Sequence, residues 1–404
     1  MSAFHLTRRL RLRALVLLAG LAVLTLTSGC AGTAAAQRTA AAQRTAAAQR
    51  TAAAPGTSAA PRISSQASSA AAPRYFLDLA QFSGAVSGGQ LQVRRSATGA
   101  LVQQPGILAA GIAEFGDGGR FVVAGQAGNG CASALYRTSV SAAGHVDPMR
   151  SLGVIVRGEV TALAADANGQ TIAFFAWPCS KSATGYLGVL HVRTGQVRRW
   201  GDVNVDGSAG DIVACCSLSL SAAGRLALFS GAALGAGGGI TGQRVWTIAT
   251  SARPGTLRQR SDVVLARPAS GPQLDSALLR PDGKSFYLCT VSTKGTPSAH
   301  RSVTQTAVIT ARRTASGART RTVATLKATG VTFQSQFLGC RMAASPGGHF
   351  LLAPYTEKYA RSTQTGPLVR AARIDLATRA VAWLSFRLPG SAGMSVATGV
   401  TIAW

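Results

Sequence analysis

The chain has 404 residues, with 41 basic and 14 acidic side chains, a net charge of +27 and a pI near 11.5. Apolar residues make up 47% and charged residues 14%, which excludes a disordered chain, while the length excludes a disulfide-stapled mini-domain. Only one long apolar run is present, so a polytopic membrane protein is excluded, and the 46 glycines show no period of three, which excludes a collagen-like chain.

Residues 1–29 read as an export signal. Arg8, Arg9, Arg11 and Arg13 form a basic start, and Ala14 to Leu26 is an apolar run shorter than the ~20 residues that span a bilayer. The run ends in LTSGC, with Gly29 before Cys30. This resembles a bacterial lipoprotein signal peptide, although Thr27 stands where that family usually has leucine. The resemblance implies lipidation of Cys30 and a place on the extracytoplasmic side of the cell membrane. Soluble secretion and a retained single anchor stay open as alternatives.

Residues 30–74 read as Cys30 followed by a disordered tether. TAAAQR recurs at Thr33, Thr39 and Thr45, no large apolar residue is present, and Pro55, Pro61 and Pro73 break any helix. The tether holds five arginines and no acid.

Residues 75–404 carry a repeat. An apolar strand, a tight glycine turn and a second apolar strand recur around Gly118-Gly119, Asn168-Gly169, Gly224, Asp282-Gly283 and Gly347-Gly348. Turns of this composition tolerate positive φ and suit hairpins. A second hairpin class falls between them, at Thr98-Gly99, Gly144, Thr194-Gly195, Pro254-Gly255, Gly317 and Thr378-Arg379. Two hairpins per repeat predict four-stranded antiparallel blades, hence an all-β propeller. Six blades are expected, at about 55 residues each, with the C-terminal strand pairing with the N-terminal blade to close the ring. Seven remain possible if 231–245 or 290–305 hide extra strands. RPDGKSFYL resembles the SPDG hairpin of WD-repeat-like propellers, and LHVRTGQVRRW their TG hairpin. The domain is similar to uncharacterised exported propeller proteins of high-GC Gram-positive bacteria. That resemblance implies a fold and is nearly silent on function.

Six cysteines follow Cys30: Cys131, Cys179, Cys215, Cys216, Cys289 and Cys340. In an oxidising space an even count favours disulfides. Cys131 and Cys179 follow the first-class hairpins of consecutive blades and are placed to clip neighbours together; Cys289 and Cys340 are placed likewise. Asp202, Asn204, Asp206 and Asp211 form a weak calcium candidate: alternating oxygen ligands begin a loop whose twelfth position is Val213 rather than glutamate. The preferred reading is a polar inter-blade loop in which these residues serve turns. Otherwise no cofactor is expected. The histidines His145, His191, His300 and His349 are scattered, and no nucleophile elbow is present. Asp117, Asp166, Asp275 and Asp282 lie in or beside hairpins, where turn roles suffice.

Charge remains. Signal and tether take nine arginines and no acid, leaving 75–404 with 32 basic and 14 acidic side chains, a net +18. Arg198 and Arg199, and Arg312, Arg313, Arg319 and Arg321, fall on second-class hairpins. Such charges defend outer strands against edge pairing, and they are also candidates for binding a polyanion. The leading expectation is a surface-anchored, non-catalytic propeller that binds an envelope protein, glycan or polyanion, with no nucleic acid as partner. One rival is an envelope hydrolase or lyase with its site at the channel mouth. The other is a polyanion-binding structural lipoprotein.

Overall fold

The computed structural model describes residues 72–82, 89–116, 118–128, 131–178, 184–203, 212–234, 240–295, 303–331, 340–358, 368–387 and 397–404. The signal, Cys30 and the tether up to residue 71 lie outside them, as do Asp117, Cys179, Asn204, Asp206, Asp211 and His300.

Alternating apolar strands and glycine turns fold as a six-bladed β-propeller. Blade 1 contains β1 (Tyr75–Phe82), β2 (Gly89–Arg95) and β3 (Leu101–Gln103), with the two-residue β4 (Leu108–Ala109) also paired to β2. Blade 2 is β5 (Gly111–Glu114), β6 (Arg120–Gln126), β7 (Ala132–Ser139) and β8 (Arg150–Arg157). Blade 3 is β9 (Glu159–Ala165), β10 (Thr171–Trp177), β11 (Gly185–His191) and β12 (Gln196–Val203). Blade 4 is β13 (Ile212–Leu220), β14 (Leu226–Leu234), β15 (Ile240–Ala249) and β17 (Asp262–Pro268). Blade 5 is β18 (Gln273–Leu279), β19 (Ser285–Lys294), β20 (Val303–Arg313) and β21 (Arg319–Val331). Blade 6 is β22 (Ala343–Ala344), β23 (Phe350–Lys358), β24 (Leu368–Asp375) and β25 (Val381–Arg387).

Blade 1 takes its innermost strand from the far end of the chain. β26 (Ala397–Ala403) pairs antiparallel with β1, from Leu77 opposite Ala403 to Phe82 opposite Ala397. The described residues of 231–245 and 290–305 lie in or beside the strands of the hairpins β14–β15 and β19–β20 and add no further strand.

The turns follow the glycines. Gly118, Gly119, Gly169, Gly224, Gly283, Gly347 and Gly348 all have positive φ, as do Gly99, Gly144, Gly195 and Gly317. Arg379 takes the same conformation without being glycine, at φ 63°. There the Asp375 carboxylate accepts from the N–H groups of Ala377 and Thr378 and so fixes the turn.

One hairpin differs from expectation. The chain between β15 and β17 does not turn at Pro254-Gly255. It turns at Ala249–Ala252, then forms β16 (Gly255–Thr256), which runs parallel to β12 of blade 3, and a one-turn helix α1 (Leu257–Arg260). Two interactions draw this segment away: the Trp200 indole donates to Arg253 O at 3.0 Å, and Leu257 is wholly buried against blade 3. Tertiary packing therefore overrides the local turn signal.

The core lies between blades. Among the described residues, six clusters of buried apolar side chains fill the six seams. The seam of blades 3 and 4 holds Trp200, Phe175, Phe229 and Trp246, with the Phe229 and Trp246 rings stacked 5.3 Å apart. Each such side chain contributes about 1.5–3 kcal/mol by leaving water. Cys289 on β19 is disulfide-bonded to Cys340, just ahead of β22, and so clips blade 5 to blade 6 with a Cα–Cα separation of 6.2 Å. Cys131 is disulfide-bonded too.

Candidate functional site in the axial channel

The inner strands β26, β5, β9, β13, β18 and β22 surround a cavity of about 420 Å³ on the propeller axis. Each presents one edge largely without a strand partner, β13 touching β12 only at Ile212 opposite Val203, so backbone N–H and C=O groups need other partners. The sequence supplies them mostly as serine. Ser217 and Ser219 on β13 accept from Ala277 N and Leu279 N of β18, each at 2.9 Å. Ser276 donates to Cys340 O. On blade 2, Ser133 accepts from Val160 N at 3.0 Å and donates to Gly158 O at 3.1 Å. The turns at the other end continue the pattern: Ala167 N donates to Ala222 O and Ala222 N to Pro281 O, both at 3.0 Å. The channel hydroxyls named here are thus engaged in seams.

Two of the aspartates are spent similarly. Asp166 accepts from Gln170 N at 2.8 Å, the turn role expected for it. Asp275 sits at a bulge, because Leu274 pairs with Thr290 and Ser276 with Cys289. The bulge frees its carboxylate to accept from Cys340 N of the next blade. Burial raises the Asp275 pKa from 3.8 to about 6, while the Cys340 N–H and the charge of Arg341 pull it down. Arg341, also buried, lines the channel nearby.

Glu114 is different. It ends β5, lines the cavity, and its Oε1 is buried without a hydrogen-bond partner among the described residues. The corresponding positions in the other blades are Ala165, Leu220, Leu279, Ala344 and Trp404, so the surroundings are apolar. Burial alone pushes its carboxyl pKa well above the usual range. Sequence reading missed Glu114 and Arg341. The available signal was a glutamate in an inner strand where the other blades carry alanine, leucine or tryptophan.

The remaining candidates are dispersed. His145 and His349 are exposed in turns, and His191 ends β11. Asp202 lies in β12 with φ 69°. Cys215 and Cys216 lie on β13. No group of three His, Cys, Asp or Glu among the described residues could hold a metal ion. Arg198 and Arg199 lie on β12, the first donating to Thr250 O at 3.4 Å and the second 4.9 Å over the Tyr186 ring. Arg312 and Arg313 end β20, and Arg319 and Arg321 begin β21. The two arginine groups therefore belong to different blades.

A further buried charge was also missed. In the seam of blades 6 and 1, Arg94 pairs with Asp78, both almost fully buried. Arg94 also donates to Gly99 O at 3.1 Å and Arg387 O at 2.7 Å, and lies 4.4 Å over the Phe386 ring. Desolvation raises the Asp78 pKa to about 6 and outweighs the attraction of Arg94.

No protein-family model matches the chain, and no curated protein matches it. Solved structures do. TolB from Acinetobacter baumannii is 12% identical over 82% of this chain and 66% of its own, with a TM-score of 0.44. The periplasmic gluconolactonase PpgL from Pseudomonas aeruginosa is 14% identical over 81% of this chain and 98% of its own, with a TM-score of 0.44. A chain of the nidogen/laminin complex is 11% identical over 82% of this chain and 98% of its own, with a TM-score of 0.41. At these identities the likeness concerns the fold and not its use.

Proposed function

We propose that this chain is a non-catalytic binding propeller, lipid-anchored through Cys30 on the extracytoplasmic side of the cell membrane, that takes its partner at the mouth of the axial channel. One observation carries the reading. The serines of the inner strands, together with Asp166 and Asp275, serve the backbone of their own or the neighbouring blade. A nucleophile or base needs a group free to meet substrate. What the channel offers instead is a stable rim on a rigid ring, the usual setting of a recognition surface.

Site-specific photo-crosslinking tests this. A crosslinker at Ala222 or Pro281, which line the channel, is expected to capture a partner in intact cells. One at exposed Thr293 on β19 is expected to capture none. Adducts from Thr293 alone would place the contact elsewhere. For the anchor, Cys30→Ala is expected to leave the membrane fraction, and unchanged fractionation would defeat it.

The enzyme reading, a hydrolase or lyase acting at the channel, is favoured by Glu114 alone. A carboxyl whose pKa burial raises is suited to donate a proton to a leaving group. Turnover of a sugar or peptide substrate whose kcat falls by about 100-fold or more in Glu114→Gln, with KM unchanged, would establish it over the binding reading.

A further inference from the structure

Arg94 and Arg312 occupy the same place in two repeats. Each lies five residues before the turn glycine, Gly99 or Gly317, and each donates to that glycine's carbonyl, at 3.1 and 2.7 Å. Each stands opposite a buried phenylalanine on the neighbouring strand, Phe76 or Phe286. Both glycines abut the outer strand of the preceding blade: a Cβ on Gly99 would meet Phe386 and Ser385 O of β25, and one on Gly317 would meet Val264 O of β17 at 2.3 Å. In blades 3 and 6 the same position is held by buried Leu190 and Ile374.

The two arginines differ in their counter-charge. Asp78 stands two residues after Phe76 and pairs with Arg94. Two residues after Phe286 stands Leu288, fully buried. Arg312 instead faces more positive charge. Arg319 is its register partner across β20 and β21. Arg267 shares a face of β17 with Leu265, which packs into the seam of blades 4 and 5 beside Phe286 and Leu288. The charges of Arg267 and Arg319, with burial as the larger cause, lower the Arg312 pKa. Among the described residues no acid is seen paired with any of the three, in contrast to Arg94 with Asp78. Nor does Arg312 Nη2 have a protein partner there, since Nε reaches Thr310 Oγ1 and Nη1 reaches Gly317 O.

Like charges directly opposite on neighbouring strands are destabilising, and Arg319 opposite Arg312, with Arg267 on β17 across the same seam, invites an external counter-ion. Planar guanidinium forks match tetrahedral oxyanions through paired N–H···O bonds. We propose that Arg267, Arg312 and Arg319 form a discrete oxyanion site at the rim of the blade 4–blade 5 seam, taking a phosphate group as the counter-ion that Asp78 provides within blade 1. The site stands apart from the channel and depends on neither reading given above. The phosphate is either free or carried by a lipid headgroup.

The test uses the full chain and compares it with the double variant R267Q/R319Q, both positions being at least partly exposed. At matched ionic strength, saturating inorganic phosphate against chloride is expected to raise Tm by about 3 °C in the natural chain and to leave the variant unmoved. Phosphate also stabilises proteins generally by exclusion from their surface, so the difference between the two chains is the readout. Leu288→Asp, which places a carboxylate where blade 1 has one, is expected to lose the phosphate response as well. Retention on phosphatidylglycerol-containing vesicles, relative to phosphatidylcholine alone, that falls in R267Q/R319Q assigns the phosphate to a headgroup. Equal retention of the two chains, with the Tm difference present, assigns it to the free ion. An equal Tm rise in the natural chain and R267Q/R319Q, or none in either, overturns the proposal.

Discussion

Trp404, at the C-terminal end, donates its indole N–H to Ser96 Oγ at 3.0 Å, across 308 residues of sequence. The ring is fully buried in the seam of blades 6 and 1, 5.9 Å from the Phe350 ring. Closure of the propeller thus rests on a packed aromatic as well as on the β1–β26 ladder. Trp404→Ala is expected to cost about 3–5 kcal/mol, and Trp404→Phe about 1–3 kcal/mol by leaving the Ser96 hydroxyl unpaired. Urea unfolding measures both. A cost below that of an ordinary surface change for Trp404→Ala would show that the ladder alone closes the ring.

The Cys289–Cys340 disulfide spans 51 residues. Cross-linking a loop of that length restricts the unfolded chain by about 4 kcal/mol in the chain-entropy account. The double variant C289S/C340S is expected to lose about that much, seen as a lower urea midpoint under non-reducing conditions. Equal midpoints would mean that Ser276 and Asp275, which also hold Cys340, suffice for the joint.

Stability is expected to depend on pH in the less common direction. The pKa values of Asp78 and Asp275 are raised from 3.8 to about 6, and that of Glu114 is raised well above 4.5. The folded state therefore binds these protons more tightly than the unfolded state. Their contribution is complete below about pH 4 and is lost as pH rises through the folded values. Glu114→Gln, which keeps the neutral shape, is expected to unfold at about the same urea concentration as the natural chain at pH 4 and at a higher one at pH 8. Parallel pH profiles for the two would show that Glu114 ionises with no penalty.

Gly317 combines φ 63° with an approach that leaves no room for a Cβ, since Val264 O would lie at 2.3 Å. Gly317→Ala is expected to cost about 2 kcal/mol or more, through left-handed strain and displacement of β17. Gly195→Ala is the control: its φ is 67° but nothing lies within 4 Å of a Cβ there, so about 1 kcal/mol of strain alone is expected. Equal losses in thermal unfolding would remove the packing part of the argument.

The blades were legible in the sequence because glycine turns and apolar alternation are local signals. Asp282-Gly283 and Gly347-Gly348 mark their hairpins whatever surrounds them, and SVATGVTIAW reads as an unpartnered strand awaiting its blade. The departure at Pro254-Gly255 arose where Trp200, from another blade, captured Arg253 O, a contact that no local pattern encodes. The buried charges were hidden for a related reason. Asp78 lies in YFLDLAQF, where a single charge among apolar residues was visible, but the burial of its pair with Arg94 depends on a seam formed with Phe386 and Arg387 from the far end of the chain. Arg267 meets Arg312 only through blade packing, 45 positions apart in sequence. Glu114 carries meaning only when the six inner strands are compared.

Ring closure by β26 also dictates an order of events during synthesis. Blade 1 is the first to leave the ribosome and the last to be completed, since its innermost strand is made after some 300 further residues. Until then β1 exposes an open edge beside Leu77, Leu79 and Phe76, which invites pairing with foreign strands. A nascent chain of this protein therefore carries that open edge until β26 has been made, and a chain lacking β26 would remain an unsealed ring.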